Sequence, residues 1–428
     1  MKKLILFELA LLFLATTFMT DSPPPGWYQQ TLPRTDITVQ DIFFLDSLKG
    51  WVTANKYATT DTAFIYYTTN GGVNWAQQFI GSGQYGLTLN RIQFLDINTG
   101  YVVGAAGFGK VFKTTNGGVL WQDIFSYSFG TFTDLTFVNK DTGWVCSDDI
   151  LYGGLLKKIN GGTSWQQQIG AGHDIGKIFF LNKDTGWATG IHDTLLRTTN
   201  GGANWNFQYN FNTGIGSIFF TTKDTGFIAG SFGSYSIVKT TDGGFTWNPT
   251  SNSFGGRGLY FKNNTTGWLC DIFSTLQKTT DHGDSWFNQT VPTGDYYSIM
   301  FADTTKGWAG GTKVIHTTDG GGPPLGILYG SSKADEYRLD QNFPNPFNST
   351  TIIIFQIREK STLELKIFDI TGKEVKTLLD DDHYTSGTYQ FGYDGSRLSS
   401  GVYFYRLIVR SEVSDKVFTD TKKMVLLK

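Results

Sequence analysis

Between Glu8 and Glu336 the chain contains no glutamate. Over that span no glutamate can act as a general acid or activate a nucleophile. Arginine is nearly as scarce there, with only Arg34, Arg91, Arg197 and Arg257. Two cysteines, Cys146 and Cys270, and five scattered histidines give no support to a Cys/His zinc site, so no metal and no cofactor are expected. No Gly-x-Ser-x-Gly follows a strand and opens a helix, which removes the serine-hydrolase elbow. Net charge is −2, from 35 basic and 37 acidic residues, so no global field favours nucleic acid. Long apolar runs are also missing, apart from Leu4 to Phe18 behind Met1-Lys2-Lys3. That run is too short to span a bilayer and leads into Asp21-Ser22-Pro23-Pro24-Pro25. Residues 1–20 therefore read as a secretory signal peptide, with no transmembrane segment once it is cleaved.

What the chain has in abundance is repetition. The phrase Thr-Thr-Asn/Asp-Gly-Gly-x-x-Trp is complete at Thr68 to Trp75, Thr114 to Trp121, Thr198 to Trp205 and Thr240 to Trp247. Thr279 to Trp286 has His282 at the first glycine, and Lys158 to Trp165 has Lys-Ile for Thr-Thr. The copy at Thr317 breaks off after Asp319 without its tryptophan. A second phrase, Asp/Asn/Thr-x-x-Thr/Lys-Gly-aromatic, precedes each copy and ends at Trp51, Tyr101, Trp144, Trp187, Phe227, Trp268 and Trp308. A spacing of about 40 to 50 residues is that of one four-stranded propeller blade, so seven copies predict seven blades. Trp27-Tyr28-Gln29-Gln30 reproduces the end of other copies and the residues after it, as in Trp75-Ala76-Gln77-Gln78. Residues 26–31 are thus expected to supply the outer strand that the last blade lacks, leaving no open edge. Cys146 and Cys270 fall in blades three apart, beyond the roughly 7 Å reach of a disulfide, and read as buried thiols.

The repeated phrase resembles the Asp-box of bacterial neuraminidase repeats, in the spacing of photosystem-assembly-factor-like propellers. The resemblance implies a structural role for Asn70, Asn116, Asn160, Asn200, Asp242, Asp281 and Asp319. Each side chain should accept backbone N–H bonds across its turn while glycine supplies positive φ and tryptophan buries apolar surface. A sialidase site needs three arginines, a tyrosine nucleophile and a glutamate that activates it, and the ring has no glutamate. Paired aspartates of xyloglucan-active relatives sit in a cleft between two propellers, and one ring makes no such cleft. The expected role is a non-catalytic binding or scaffold module, with a glycan-active hydrolase using rim aspartates as the runner-up. Aligning the first strand of each blade puts Asp41, Arg91, Asp134 and Lys177 in one column, continued by Ser217, Gly258 and Ser298. Arg257 and Tyr297 stand one step earlier. This column is expected to ring one mouth of the channel, as a mutually neutralising lining or as the site of an unknown protein or glycan ligand. A second column, Lys113, Lys157, Arg197, Lys239, Lys278 and His316, reads as solvated strand ends whose stems lie on apolar surface.

After Gly320-Gly321-Gly322-Pro323-Pro324 the composition changes and glutamate returns. The expected fold is all-β: a seven-bladed β-propeller over 26–322, a linker over 323–336 and a small Ig-like antiparallel β-sandwich over 337–428. Asn342-Phe343-Pro344-Asn345-Pro346-Phe347-Asn348, the strand Ser400 to Leu407 and the terminus Lys422 to Lys428 resemble the type A sorting domain of the type IX secretion system. Tyr393-Asp394-Gly395 stands where Trp-Asp-Gly is usual. The resemblance implies Sec export, then handling of residues 337–428 by the type IX translocon and sorting peptidase. It places the protein outside a Gram-negative cell or on its outer-membrane surface.

Overall fold

The computed structural model describes residues 26–428 apart from 59–60, 83–85, 129, 148–153, 160–163, 170–174, 191–193, 212–213, 233–234, 252–255, 290, 322–326, 331–333, 349, 385, 396–397, 415 and 428. The signal peptide at 1–20, the turn residue Asn160 and parts of the linker lie outside the described residues. Seven four-stranded antiparallel sheets succeed one another from Trp27 to Thr317, and two more form the C-terminal module. Blade 1 runs Thr38–Phe44, Gly50–Lys56, Thr62–Thr68 and Ala76–Ser82 in spatial as in chain order. Every residue of Gly50–Lys56 except the last is buried, because each blade is covered on both faces by its neighbours.

Blade 7 is completed from the other end of the chain. Trp27–Gln30 pairs antiparallel with Val314–Thr317, Trp27 opposite Thr317 and Gln30 opposite Val314. Gln30 then donates from Nε2 to the Gly71 carbonyl of blade 1 at 2.7 Å, as Gln78 of blade 1 does to Gly117 of blade 2 at 2.9 Å. The Trp-x-x-Gln spacing thus places one ring inside a blade and one amide on the next blade.

Adjacent blades are joined by stacked rings. Trp51 lies on Phe94 of the next blade with centroids 3.6 Å apart, and Trp144 on Phe180, Trp187 on Phe220 and Trp268 on Phe301 at 3.4 to 3.5 Å. Tyr101 on Phe137 and Phe227 on Phe261 repeat the contact, and Trp308 on Phe44 at 3.5 Å closes the circle. The phenylalanine also explains the glycine that recurs in every copy of the second phrase. Phe44 faces Gly50 across the strand pair, and a Cβ on Gly50 would come within 2.5 Å of its ring. The other face of the aromatic carries the second column in blades 2 to 7: Lys113, Lys157, Arg197, Lys239 and Lys278 sit 5.2 to 5.8 Å from ring centroids, and His316 stacks on Trp308 at 4.4 Å, while in blade 1 Tyr67 stacks on Trp51. These residues are therefore not merely solvated strand ends; cation–π attraction and burial hold them. The tryptophan of each turn phrase stands edge-on to the same phenylalanine, Trp75 on Phe44 and Trp121 on Phe94, and Trp27 takes that place on Phe301 in blade 7 at 5.6 Å.

Within each turn the acceptor chemistry is shared. Asn70 Oδ1 accepts the Asn74 N–H at 2.9 Å, and Thr68 Oγ1 accepts the Gly72 N–H at 2.9 Å. Gly71 and Gly72 stand at φ 70° and 87°, where a side chain would be strained. Blade 3 has Lys158 in place of that threonine. Its buried ammonium donates to Tyr101 Oη at 2.9 Å and to the Lys140 carbonyl at 2.8 Å, and burial lowers its pKa to about 8.

The C-terminal module packs two sheets face to face. Along Ser361–Phe368 every second residue is buried, and Leu363, Leu365 and Ile367 meet Ile353, Phe355 and Ile357 of the opposing sheet. Within the span read as linker, Ile327–Gly330 pairs with Thr388–Phe391, using the open edge of that strand. The three segments that carry the sorting-domain resemblance meet in space. Asn342 N–H donates to Tyr405 Oη at 2.7 Å, and Asn345 Oδ1 accepts the Val425 N–H at 2.8 Å.

Trp27→Ala removes the ring that fills the last blade, and unfolding by denaturant should show a loss of roughly 3 to 5 kcal/mol. A loss under about 1 kcal/mol would contradict closure through this strand. Burial lowers the His316 pKa to about 4, below its ordinary value, and the contact of Nδ1 with the Gly307 carbonyl at 2.8 Å opposes that only in part. The folded form therefore holds the proton more weakly than the unfolded chain does. This contribution to stability is complete above about pH 6.5 and is lost as the pH falls towards 4, by roughly 3 kcal/mol. The difference in urea midpoint between wild type and His316→Gln should shrink over that window.

Candidate functional site

The innermost strand of each blade has one unpaired edge facing the central channel, and its N–H groups need acceptors. The predicted column supplies them. Asp41 Oδ2 accepts the Ile92 N–H of the next blade at 2.9 Å, and Asp134 Oδ2 accepts the Ile178 N–H at 3.2 Å. Ser298 Oγ accepts the Ile42 N–H at 3.3 Å and donates to Asp41 Oδ1 at 2.6 Å. Arg91 lies between the two carboxylates, 2.9 Å from Asp41 and 3.1 Å from Asp134, and both raise its pKa against the opposing effect of burial. Asp41 and Asp134 are only 6% and 7% exposed.

This ladder is a floor between two spaces. Above it opens a mouth of about 1150 Å³, and below it runs a channel of about 270 Å³ walled by Phe43, Phe179, Phe219, Tyr260 and Met300. Of the predicted residues, Arg91, Lys177, Arg257 and Tyr297 line the mouth, whereas Asp41 and Asp134 line the channel beneath. Arg91 and Lys177 reach both, and Lys177 is the one without a short partner. Its ammonium makes no hydrogen bond or ion pair among the described residues, and burial, with help from Arg91, lowers its pKa. Arg257 lies over the Tyr297 ring at 5.2 Å and is 57% exposed, with a loose 3.9 Å approach to Asp271.

Sequence reasoning missed Asp271, Phe273 and Tyr57, which also line the mouth. Asp271 is 6% exposed, and burial, reinforced by Asp295, raises its pKa. Phe273 and Ser274 follow it in the hairpin between Gly267–Cys270 and Leu276–Thr279, at φ 60° and 61°. A non-glycine residue in that region costs about 1 to 3 kcal/mol. The turn persists because Asp295 Oδ1 accepts the Phe273 N–H at 2.9 Å and the Gly294 carbonyl accepts the Ser274 N–H at 2.8 Å. The one available signal was Phe-Ser in a short connection between Cys270 and Leu276, where Asn-Gly is the relaxed choice. Among the described residues no group of His, Cys, Asp or Glu is placed to hold a metal ion. The arrangement offers cations, aromatic faces and bare backbone: it can bind.

Residues 341–423 match the family described as the secretion system C-terminal sorting domain, and this type IX sorting domain supports export by that route. No curated protein matches the chain in sequence. Among solved structures the chain is similar to YCF48 with a bound D1 peptide, at TM-score 0.57 and 18% identity, over 69% of this chain and 97% of that one. YCF48 from Cyanidioschyzon merolae is similar at TM-score 0.53 and 16% identity, over 68% and 98%. PorZ of Porphyromonas gingivalis, an essential surface component of its type IX secretion system, is similar at TM-score 0.52 and 12% identity, over 93% of this chain but 60% of PorZ. At these identities the likeness is one of fold, and the fold is a β-propeller. No helix among the described residues is long and apolar enough to cross a membrane.

Because Arg91 holds two buried carboxylates, Arg91→Ala should destabilise the ring by roughly 3 to 5 kcal/mol, while Arg257→Ala, at an exposed site, should change stability by less than about 0.5 kcal/mol. Thermal unfolding of the two variants side by side checks the contrast, and equal midpoints would count against the ladder as a structural element.

Proposed function

We propose that this protein is an exported, non-catalytic binding or scaffold protein. In this reading its seven-bladed Asp-box ring offers the mouth to a protein or glycan ligand, and residues 337–428 are read by the type IX translocon and sorting peptidase. The ring then works outside the cell, released or attached to the outer surface. The observation that carries the binding reading is the mouth itself, a space of about 1150 Å³ with Lys177 uncommitted at its floor and Arg257 exposed at its wall. The bound peptide in the YCF48 structure lends support, since a ring of similar fold there binds a polypeptide. A glycan-active hydrolase using Asp41 and Asp134 is disfavoured because Arg91 and backbone N–H groups engage both carboxylates.

The ring and the sandwich have separate cores. The apolar cluster of the sandwich runs from Leu339 to Leu426, and no residue of it belongs to the clusters of the blades, which end at Ile315. Deleting residues 337–428 should therefore leave a folded ring that accumulates in the periplasm, measured by fractionation and by proteolysis of the retained protein. Normal surface or medium levels of the truncated chain would overturn the sorting role. Turnover of sialosides or β-glucans by the purified full chain, lost in Asp41→Asn or Asp134→Asn, would overturn the non-catalytic reading.

A further inference from the structure

We propose that the blade 6 hairpin Asp271 to Thr275 is a preformed aromatic finger, and that the mouth beneath it seats an extended peptide segment carrying a carboxylate beside an apolar side chain. The proposal rests on the mouth being the ligand site. The finger is argued from its conformation and exposure together. Two consecutive residues with side chains occupy positive φ in a hairpin that glycine or asparagine would close without strain. Joining two strands does not require phenylalanine there. The result is a ring 81% exposed to solvent beside the cavity, held by Asp295 and Gly294 from the following loop. Strain of this kind persists where the surrounding structure over-determines it, and here it fixes the direction of an aromatic side chain that no group among the described residues buries.

The carboxylate is argued from charge. Asp41, Arg91 and Asp134 satisfy one another, which leaves Lys177 and Arg257 as the mouth cations without a short carboxylate partner. Arg257 lies over the Tyr297 ring and is largely exposed at the mouth, and its planar fork suits a carboxylate. A peptide is favoured over a sugar because the two planar amides that could grip hydroxyl groups each have one N–H already committed. Asn90 Nδ2 donates to the Phe132 carbonyl at 2.7 Å and Gln40 Nε2 to the Thr38 carbonyl at 3.3 Å. Gly214 and Gly216 also line the mouth and present backbone in place of side chains, which can pair with a peptide main chain. A Cβ on Gly216 would overlap the Gly256 carbonyl oxygen, so that position stays bare.

The test uses the full chain and four probes: N-acetylated, C-amidated hexapeptide pools with a fixed central Glu-Phe, Gln-Phe or Glu-Ser, and tetragalacturonate. The Glu-Phe pool should bind saturably and the other two pools at least about tenfold more weakly. Phe273→Gly should weaken binding about tenfold while the melting temperature holds or rises, because glycine occupies this φ without strain; a merely structural phenylalanine would not give that pair of results. Lys177→Met and Arg257→Ala should erase the preference for Glu over Gln. Wild-type binding by Phe273→Gly, with the preference for Glu retained, overturns the finger and leaves the mouth as the site. Failure of every pool at millimolar concentration, or binding of tetragalacturonate in their stead, overturns the peptide. Unchanged binding in all three variants puts the ligand elsewhere and removes the mouth reading as well.

Discussion

Each blade lends one aromatic ring to its successor, and a circle of such contacts closes only if the last blade can return the favour to the first. Trp308 does so on Phe44 at 3.5 Å. The stack demands more than two rings. Phenylalanine must lie over a glycine, since a Cβ at Gly50 or Gly100 would enter the ring of Phe44 or Phe94. The outer face of the second-phrase aromatic takes a cation in blades 2 to 6, Tyr67 in blade 1 and His316 in blade 7. The turn tryptophan then seals the edge, and in the last blade that piece comes from Trp27. Aromatic pairs contribute about 0.5 to 1.5 kcal/mol beyond their buried area, so seven of them in a circle make closure cooperative. The amino-terminal strand is part of that cooperativity, because Gln30 reaches across to blade 1.

A ring so committed to packing leaves little freedom in its strands. Inner-strand positions that look chemically active in the alignment of repeats are used to satisfy backbone edges, which is why Asp41 and Asp134 end beneath the mouth. Freedom survives in the connections between strands, where one hairpin can be altered without disturbing the stack. The blade 6 hairpin with Phe273 is such an alteration. Blade 3 varies inside the phrase itself, and Lys158 there exchanges a turn hydroxyl for hydrogen bonds to Tyr101 and Lys140.

What could be read from the sequence was what repeats. Period, strand order, the replacement role of Trp27 and the alternating pattern of Ser361–Phe368 all rest on comparing copies or on a period of two. The site was half legible. Arg91, Lys177, Arg257 and Tyr297 lie in or beside a repeated column and do line the mouth. Asp271, Phe273 and Tyr57 lie in connections with no copy in the other blades, so register says nothing about them. The second basic column was found but its setting was not, because the aromatic under each cation comes from a neighbouring strand that only the sheet register brings alongside. The hydroxyl of Thr68 was overlooked for a related reason. Two threonines in succession point to opposite faces, and the phrase alone does not say which one turns inward to Gly72.

Charge shows how a nearly neutral protein can still have a directed site. A net charge of −2 over 428 residues produces no field that a distant ligand would feel, and physiological salt screens exposed charges beyond about 8 Å. On the proposed binding reading, recognition is decided inside the cavity. There the outcome depends on how Arg91 is used. Bound to both Asp41 and Asp134, it offsets one of their two negative charges, and Lys177, with no short carboxylate partner of its own, balances the other in a half-buried setting, where an arriving anion would be screened far less than at the surface. The same guanidinium that bridges blades 1 and 3 thus helps set the potential at the floor of the mouth. On the proposed binding reading, substitutions at Arg91 alter stability and recognition together, while those at Arg257, exposed on the wall, alter recognition alone.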